Sequence, residues 1–218
     1  MALNKKQLDY LWKVLLAVLL LLICDQASKF WVKTNMQLYD SIPVFSWFKI
    51  YFIENAGMAF GIELVDTYIL TLFRILVVSW FSVWIYKLIK RGTYKFGFIL
   101  CLSMIFAGAM GNIIDSVFYG LLFEHSYGQV GKFFTETGFT TGYSTLLNGK
   151  VVDMLSFPLI KTTWPSWMPG WGGKEFVFFR PIFNVADSAI CVSAFTLILC
   201  YKHSLFASLS KEKKMNEE

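Results

Sequence analysis

The sequence predicts an all-α membrane protein, with four transmembrane helices carrying a small extracytoplasmic β-containing region and an interfacial segment. Three observations lead there. Four stretches, about 11–32, 68–86, 96–114 and 185–201, are apolar enough to enter a bilayer, whose core takes about 20 residues to cross. Hydrophobic residues make up 56% of the 218 and charged residues only 16%, where a soluble domain carries roughly 25% charged. Lysines and arginines gather at the ends of the apolar stretches rather than along one face, so the net charge of +5 does not point to nucleic acid. A single membrane domain, 1–218, is expected.

Taken in order, the first span follows Lys5 and Lys6 and is opened by Lys13. A signal peptide is the alternative, and Leu21-Leu22-Ile23-Cys24 resembles a lipoprotein cleavage box. Ile23 is too bulky for the position before the cysteine and three further spans follow, so a retained helix is expected. The second and third spans are joined by a short link holding Lys87, Lys90, Arg91 and Lys95, and the fourth is followed by Lys202, Lys211, Lys213 and Lys214. By the positive-inside rule these regions and both termini are cytoplasmic. The connections at about 33–67 and 116–184 then face outward. Alternation at Phe48, Ile50 and Phe52 predicts short strands in the first connection. The second holds a stretch at 121–150 rich in Gly, Ser and Thr, expected to be an outer-surface subdomain or lid, or equally a plain spacer, rather than a buried element. Trp164, Trp167 and Trp171 follow it as an interfacial belt. The charged tail from about 210 to 218 is expected to be disordered.

The four cysteines, Cys24, Cys101, Cys191 and Cys200, lie in apolar runs without a Cys-x-x-Cys pair, and His125 and His203 are far apart. No metal site or other cofactor is expected. No Gly-x-Ser-x-Gly and no phosphate loop occurs.

The chemistry lies with carboxylates. Asp153, in Gly149-Lys150-Val151-Val152-Asp153, and Asp187, in Phe183-Asn184-Val185-Ala186-Asp187, each stand at the outer edge of an apolar stretch. An ionisable group there costs about 2.5–3.5 kcal/mol even on the lenient insertion scale. Two carboxyls brought together share one proton, leaving one as base and one as acid near neutral pH, which equips them to hydrolyse a peptide bond. Asp25 and Lys29 are four apart on one helix face, as a structural ion pair or as a pair that contacts a lipid head group or orders the site. Gly111-Asn112-x-x-Asp115 places an amide and a carboxylate at the outer end of the third span. Gly108 and Gly111 permit close helix packing. Asn55 and Gly57 form an outer turn facing the site. Arg74 lies inside the second span, to snorkel or to pair with a phosphate or carboxylate.

Five blocks together carry a family resemblance: Asp25-x-x-x-Lys29, Asn55-x-Gly57-x-Ala59-Phe60, Gly111-Asn112-x-x-Asp115, Gly149-x-Val151-Val152-Asp153 and Phe183-Asn184-Val185-Ala186-Asp187. In this order they resemble the lipoprotein signal peptidases, or type II signal peptidases, which are aspartyl proteases of the bacterial cytoplasmic membrane. The resemblance implies that Asp153 and Asp187 are the catalytic dyad, with Asp25, Lys29, Asn55, Asn112, Asn184 and Ala186 around it. It implies cleavage of prolipoproteins just before a diacylglyceryl-modified cysteine, contact with membrane lipids, and inhibition by globomycin. A monomer suffices for a dyad from one chain. Two departures stand out: Ser116 occupies the position where the family places an arginine, so that what the arginine does is either absent or supplied elsewhere, as by Arg74 or Arg180, and the 121–150 stretch replaces a short turn. Presenilin-type proteases use Gly-x-Gly-Asp, which is missing here. A proton-coupled transporter or a lipid-binding scaffold using the same carboxylates are the remaining alternatives.

Overall fold

A computed structural model describes residues 3–56, 66–135, 138–139 and 142–216. Its first helix, α1 (Lys5–Asn35), begins with a reciprocal cap: Asn4 accepts from the Gln7 N–H while the Gln7 side chain accepts from Asn4. Helix α2 (Thr67–Arg91) starts at Asp66, whose carboxylate accepts from Tyr68 N–H at 2.8 Å, and stops at Gly92 in the left-handed conformation that glycine tolerates. Helix α3 (Phe96–Ile114) runs into a π-helical turn at Asp115–Tyr119 and a final turn, α4 (Gly120–Leu122). Helix α5 (Val185–Cys200) meets α6 (Lys202–Asn216) at a bend of 89°.

Helix α3 is the centre of the bundle and packs against α1, α2 and α5. At one end, Val14, Trp84, Leu88, Phe98, Ile99 and Leu197 form a buried core. Outward-facing positions are apolar too: Leu16 and Leu20 on α1, Phe73 and Leu76 on α2, and Phe195 and Leu199 on α5 are exposed. Helices with an apolar outer surface of this kind are solvated by lipid. The helix at 5–35, the one at 67–91 and the run 96–122 are each long and apolar enough to span a membrane, and the bent pair α5–α6 makes up to four. The 16 residues of α5 reach only about 24 Å, short of the roughly 30 Å core.

The other end of the bundle carries a four-stranded antiparallel sheet in the order β1 (Ser41–Phe45), β2 (Phe48–Asn55), β5 (Val151–Ser156), β8 (Ile182–Phe183). Two separate hairpins, β3 (Phe134–Thr135) with β4 (Gly138–Phe139) and β6 (Ile160–Thr163) with β7 (Glu175–Phe178), project from the connections. The strand expected from alternation at Phe48, Ile50 and Phe52 is β2; Phe52 is fully buried and Ile50 packs beside it. The strands of the second connection make the β portion larger than an all-α description allows. Their partners are distant in sequence (Ile53 opposes Asp153, and Leu155 opposes Phe183), so local periodicity does not reveal them.

Two expectations need correction. The predicted disordered tail is helical to Asn216; its Lys-Glu-Lys-Lys-Met run is built of good helix formers, and α6 is seated through Leu205 on the bundle core and through the buried Ser208. The stretch at 121–150 is not free of buried elements. Phe123 is buried with Val32, Met36 and Phe52, and Phe133 and Tyr143 pack against that group. Its return leg is tied back along the end of the α3 run by Ser144 N–H to Gly120 C=O, Leu147 to Val117 and Gly149 to Ser116. Leu38 N–H to Ser126 C=O clamps the outward leg to the segment after α1. Residues 136–137 and 140–141 lie outside the described residues, as do Gly57 and the expected interfacial segment at 57–65.

Candidate active site

Alternation along β5 sets up the site. Val152 and Met154 enter the core beneath the sheet with Phe52 and Phe123, so Val151 and Asp153 point the other way. Strand β8 pairs with the far end of β5 and then turns directly into α5, which brings Asn184 and Asp187 beside Asp153. The turn is a capping box: Asn184 Oδ1 accepts from Asp187 N–H at 2.9 Å, and Asp187 Oδ2 accepts from Asn184 N–H at 3.3 Å. The same Asn184 side chain donates through Nδ2 to Asp153 Oδ1 at 2.7 Å. One buried asparagine therefore holds both aspartates, one by capping geometry and one by a direct hydrogen bond.

A second amide supports Asp187. Asn112 Oδ1 accepts from Lys29 Nζ at 2.9 Å and from Asn184 Nδ2 at 3.1 Å. Lysine has no acceptor, so the oxygen must face it, which leaves the Asn112 NH2 to donate to Asp187 Oδ1 at 2.7 Å. Asn55 reaches Asp153 Oδ2 from β2 at 3.4 Å. Asp153 is buried, and that burial, followed by the nearby charge of Asp187, pushes its carboxyl from the ordinary 3.8 up to about 7; Lys29, Asn55 and Asn184 pull the other way.

Beneath the pair lies a closed charge cluster. Lys29 bridges Asp25 at 2.8 Å and Asp115 at 2.9 Å, and all three are fully buried. Asp25 Oδ1 accepts from Ala186 N–H at 2.9 Å, satisfying one of the free donors that begin α5. Asp115 Oδ2 accepts from Val152 N–H at 3.2 Å, tying β5 to the α3 run. The cluster thus fixes α5 and β5, the two elements that carry Asp187 and Asp153. Removing one partner from a buried pair leaves an uncompensated charge and costs about 3–5 kcal/mol.

Gly108 and Gly111 do the packing expected of them. A Cβ at Gly108 would lie 2.5 Å from Ala186 C=O, and one at Gly111 would lie 2.7 Å from Asp25 Oδ2. Their hydrogens let α5 lie directly on α3, with Ala186 fully buried between.

Sequence reasoning missed Gln26 and the Lys33–Glu54 pair. Gln26 Nε2 donates to Asp115 at 2.9 Å and to Gly111 C=O at 3.1 Å. An amide inside an apolar span was the available signal. Lys33 continues the four-residue spacing of Asp25 and Lys29, and it is buried against Glu54 with its ammonium 4.6 Å from the Tyr143 ring centroid. Of the arginines considered for the position of Ser116, Arg74 lines the cavity beside Asp187, whereas Arg180 is exposed and donates to Glu175 C=O. Ser116 is itself fully buried, with its hydroxyl on Asn112 C=O at 3.1 Å.

That cavity, of about 690 Å³, opens beside Asp187 and Asn112 and is walled by Phe179, Phe183, Ile190, Cys191 and Phe195. Among the described residues no cluster of His, Cys, Asp and Glu is arranged to hold a metal ion.

A family model described as signal peptidase (SPase) II matches residues 17–202. The chain belongs to the signal peptidase II family. Proteins named lipoprotein signal peptidase from two strains of Porphyromonas gingivalis are 47% identical over 200 residues, which cover 92% of this chain and 87% of theirs. One of that name from Amoebophilus asiaticus is 33% identical over 207 residues, covering 92% and 82%. Two solved structures of a bacterial membrane enzyme share the fold, with TM-scores of 0.54 and 0.56 at 24% identity; the first covers 91% of this chain and 90% of its own. This signal peptidase II is accordingly a bacterial membrane protein and an aspartic protease that removes signal peptides from prolipoproteins.

Proposed function

We propose that Asp153 and Asp187 are the catalytic pair of this peptidase, and that it cuts the peptide bond immediately before a diacylglyceryl-modified cysteine. The observation that carries this reading is the Asn184 side chain, which holds Asp153 at 2.7 Å while capping Asp187. The apolar cavity beside Asp187 fits a substrate whose scissile bond adjoins a lipid.

The roles follow from the surroundings. Asp153 is buried while Asp187 lines the cavity, so the shared proton is assigned to Asp153, whose burial also pushes its carboxyl up. Asp187, bound by the Asn112 amide and the Asn184 N–H, acts as the base. A water between the two gives its proton to Asp187 as its oxygen bonds to the scissile carbonyl carbon. Asp153 donates its proton to the carbonyl oxygen, giving a tetrahedral diol. When the diol collapses, the C–N bond breaks, Asp187 passes its proton to the leaving cysteine amine, and Asp153 recovers one from a diol hydroxyl. The products are the signal peptide and a lipoprotein with a free amino group on its lipidated cysteine.

The distribution of basic residues favours cytoplasmic termini, with the sheet and the aspartate pair towards the outer leaflet. All groups of the pair and its supports come from one chain, so a monomer is sufficient, and globomycin is expected to compete at the same cavity. The test is incubation of purified protein with a diacylglyceryl-modified prolipoprotein, with and without globomycin. Release of a signal peptide ending before the cysteine, blocked by globomycin, is the expected result. Cleavage elsewhere, or indifference to lipidation, contradicts the reading.

A further inference from the structure

Arg74 is a charged side chain that lines the cavity beside Asp187 and that the catalytic scheme leaves unused. It lies eight residues into α2, about 10 Å along the helix from Thr67. The buried lysines at this end of the bundle are ion-paired: Lys29 with Asp25 and Asp115, Lys33 with Glu54. Among the described residues no carboxylate lies within ion-pair distance of Arg74. Asp187 is close enough to attract it without pairing. A half-buried guanidinium in an apolar span is costly to keep, and its five N–H donors are oriented to bind oxygen.

Its position is also singular. The cavity beside Asp187 runs down α5 to Phe195, about 12 Å from Asp187 along the helix axis. A second cavity, of about 270 Å³, lies between α2 and α3 and is walled by Phe73, Val77, Val78, Ala109 and Ile113. Arg74, Asn112 and Ile190 line both. Two apolar clefts therefore share one guanidinium, next to a carboxylate of the aspartate pair. A diacylglyceryl group has matching chemistry: two acyl chains diverge from a glycerol whose two ester carbonyls accept hydrogen bonds and carry no charge.

We propose that Arg74 is a specificity-determining residue that donates to the ester carbonyl oxygens of the substrate's diacylglyceryl group, with one acyl chain directed into each cleft. This rests on the proposed cleavage beside a lipidated cysteine. Buried ester oxygens need donors, and the planar guanidinium presents its N–H groups in a fixed fork that can serve two neighbouring acceptors at once. The arrangement also gives a cation to the site of a chain whose residue 116 is a serine.

The test compares two synthetic lipopeptides of one sequence, one with ester-linked chains and one with ether-linked chains of equal length. The wild-type protein is expected to cleave the ester form with a kcat/KM about 20-fold higher, and Arg74→Gln to lose about 20-fold on the ester form, chiefly in KM. On the ether form Arg74→Gln should stay within about twofold of wild type. Arg74→Lys, which keeps the charge and loses the fork, should lose about fivefold on the ester form alone, and it supplies the readout if the glutamine variant does not fold. Equal losses on both substrates overturn the proposal, because Arg74 would then act through Asp187 or through a bound phospholipid rather than on the esters. No cleavage of either substrate by the wild-type protein would remove the underlying assignment instead.

Discussion

Lys29 donates to the side-chain oxygen of Asn112 at 2.9 Å, and this contact decides which end of the amide faces Asp187. The ammonium cannot accept, so the amide nitrogen must turn towards the carboxylate, 2.7 Å away. The lysine thus acts on the site in two ways: it pairs with both Asp25 and Asp115, and it orients a donor on a proposed catalytic group.

Replacing Asn112 by Asp tests that orientation. The new side chain keeps its shape and its oxygen towards Lys29, but it turns an anion on Asp187 where a donor stood. Turnover of a diacylglyceryl lipopeptide should fall by about 10²–10³, the scale seen when a preorganised donor is removed from an active site. Activity near that of wild type would mean that the amide proton is not needed at Asp187.

The raised pKa of Asp153 gives a pH signature of stability. A carboxyl whose folded pKa lies above its unfolded value contributes stability that is complete below the unfolded value and lost as pH rises through the folded one. For Asp153 the window runs from about 3.8 to about 7. Asp153→Asn, which cannot ionise, should therefore melt higher than wild type at about pH 9 and equally at about pH 3.5. Thermal melts in detergent at the two pH values check this; a variant less stable at the alkaline value would reverse the sign. For the same reason wild-type cleavage should decline as pH rises above about 7, as the shared proton is lost.

The stretch at 121–150 lines no described part of the cavity beside Asp187 and packs instead on the α1 side of the sheet. We therefore expect it to serve as a buttress over the Lys33–Glu54 pair rather than as a lid. Phe133→Ala should destabilise the protein by about 2 kcal/mol, less than a fully buried phenylalanine because Phe133 is half-buried. Cleavage of a short lipopeptide below the melting temperature should stay within about twofold of wild type. A selective loss of cleavage without loss of stability would restore the lid.

Much of the site was legible because polar residues in apolar sequence stand out. Asp25, Lys29, Asn112, Asp115 and Asp187 stand out in this way, Asn184 enters only through the family resemblance, and the structure gathers them around Asp153. The helices were legible from apolar length. The sheet was less so, because β5 reads as a short apolar run whose partners, β2 and β8, lie far along the chain. The packing of Tyr143 and Phe133 was hidden by the Gly, Ser and Thr around them. That composition describes the turns between the buried side chains and says nothing of the side chains themselves. The two cavities that meet at Arg74 have no local signature, since their walls come from α2, α3, α5 and the segment around β8.

The central claim is that Asp153 and Asp187 act as one catalytic unit, and single-turnover cleavage of a diacylglyceryl prolipopeptide by Asp153→Asn and Asp187→Asn tests it most directly. Each variant, shown by its melt to be folded, should lose at least about 10³ in rate, and the double variant should lose little more than either alone, because residues that act together are not additive. A folded single variant that cleaves within about tenfold of wild type would remove that aspartate from the chemistry.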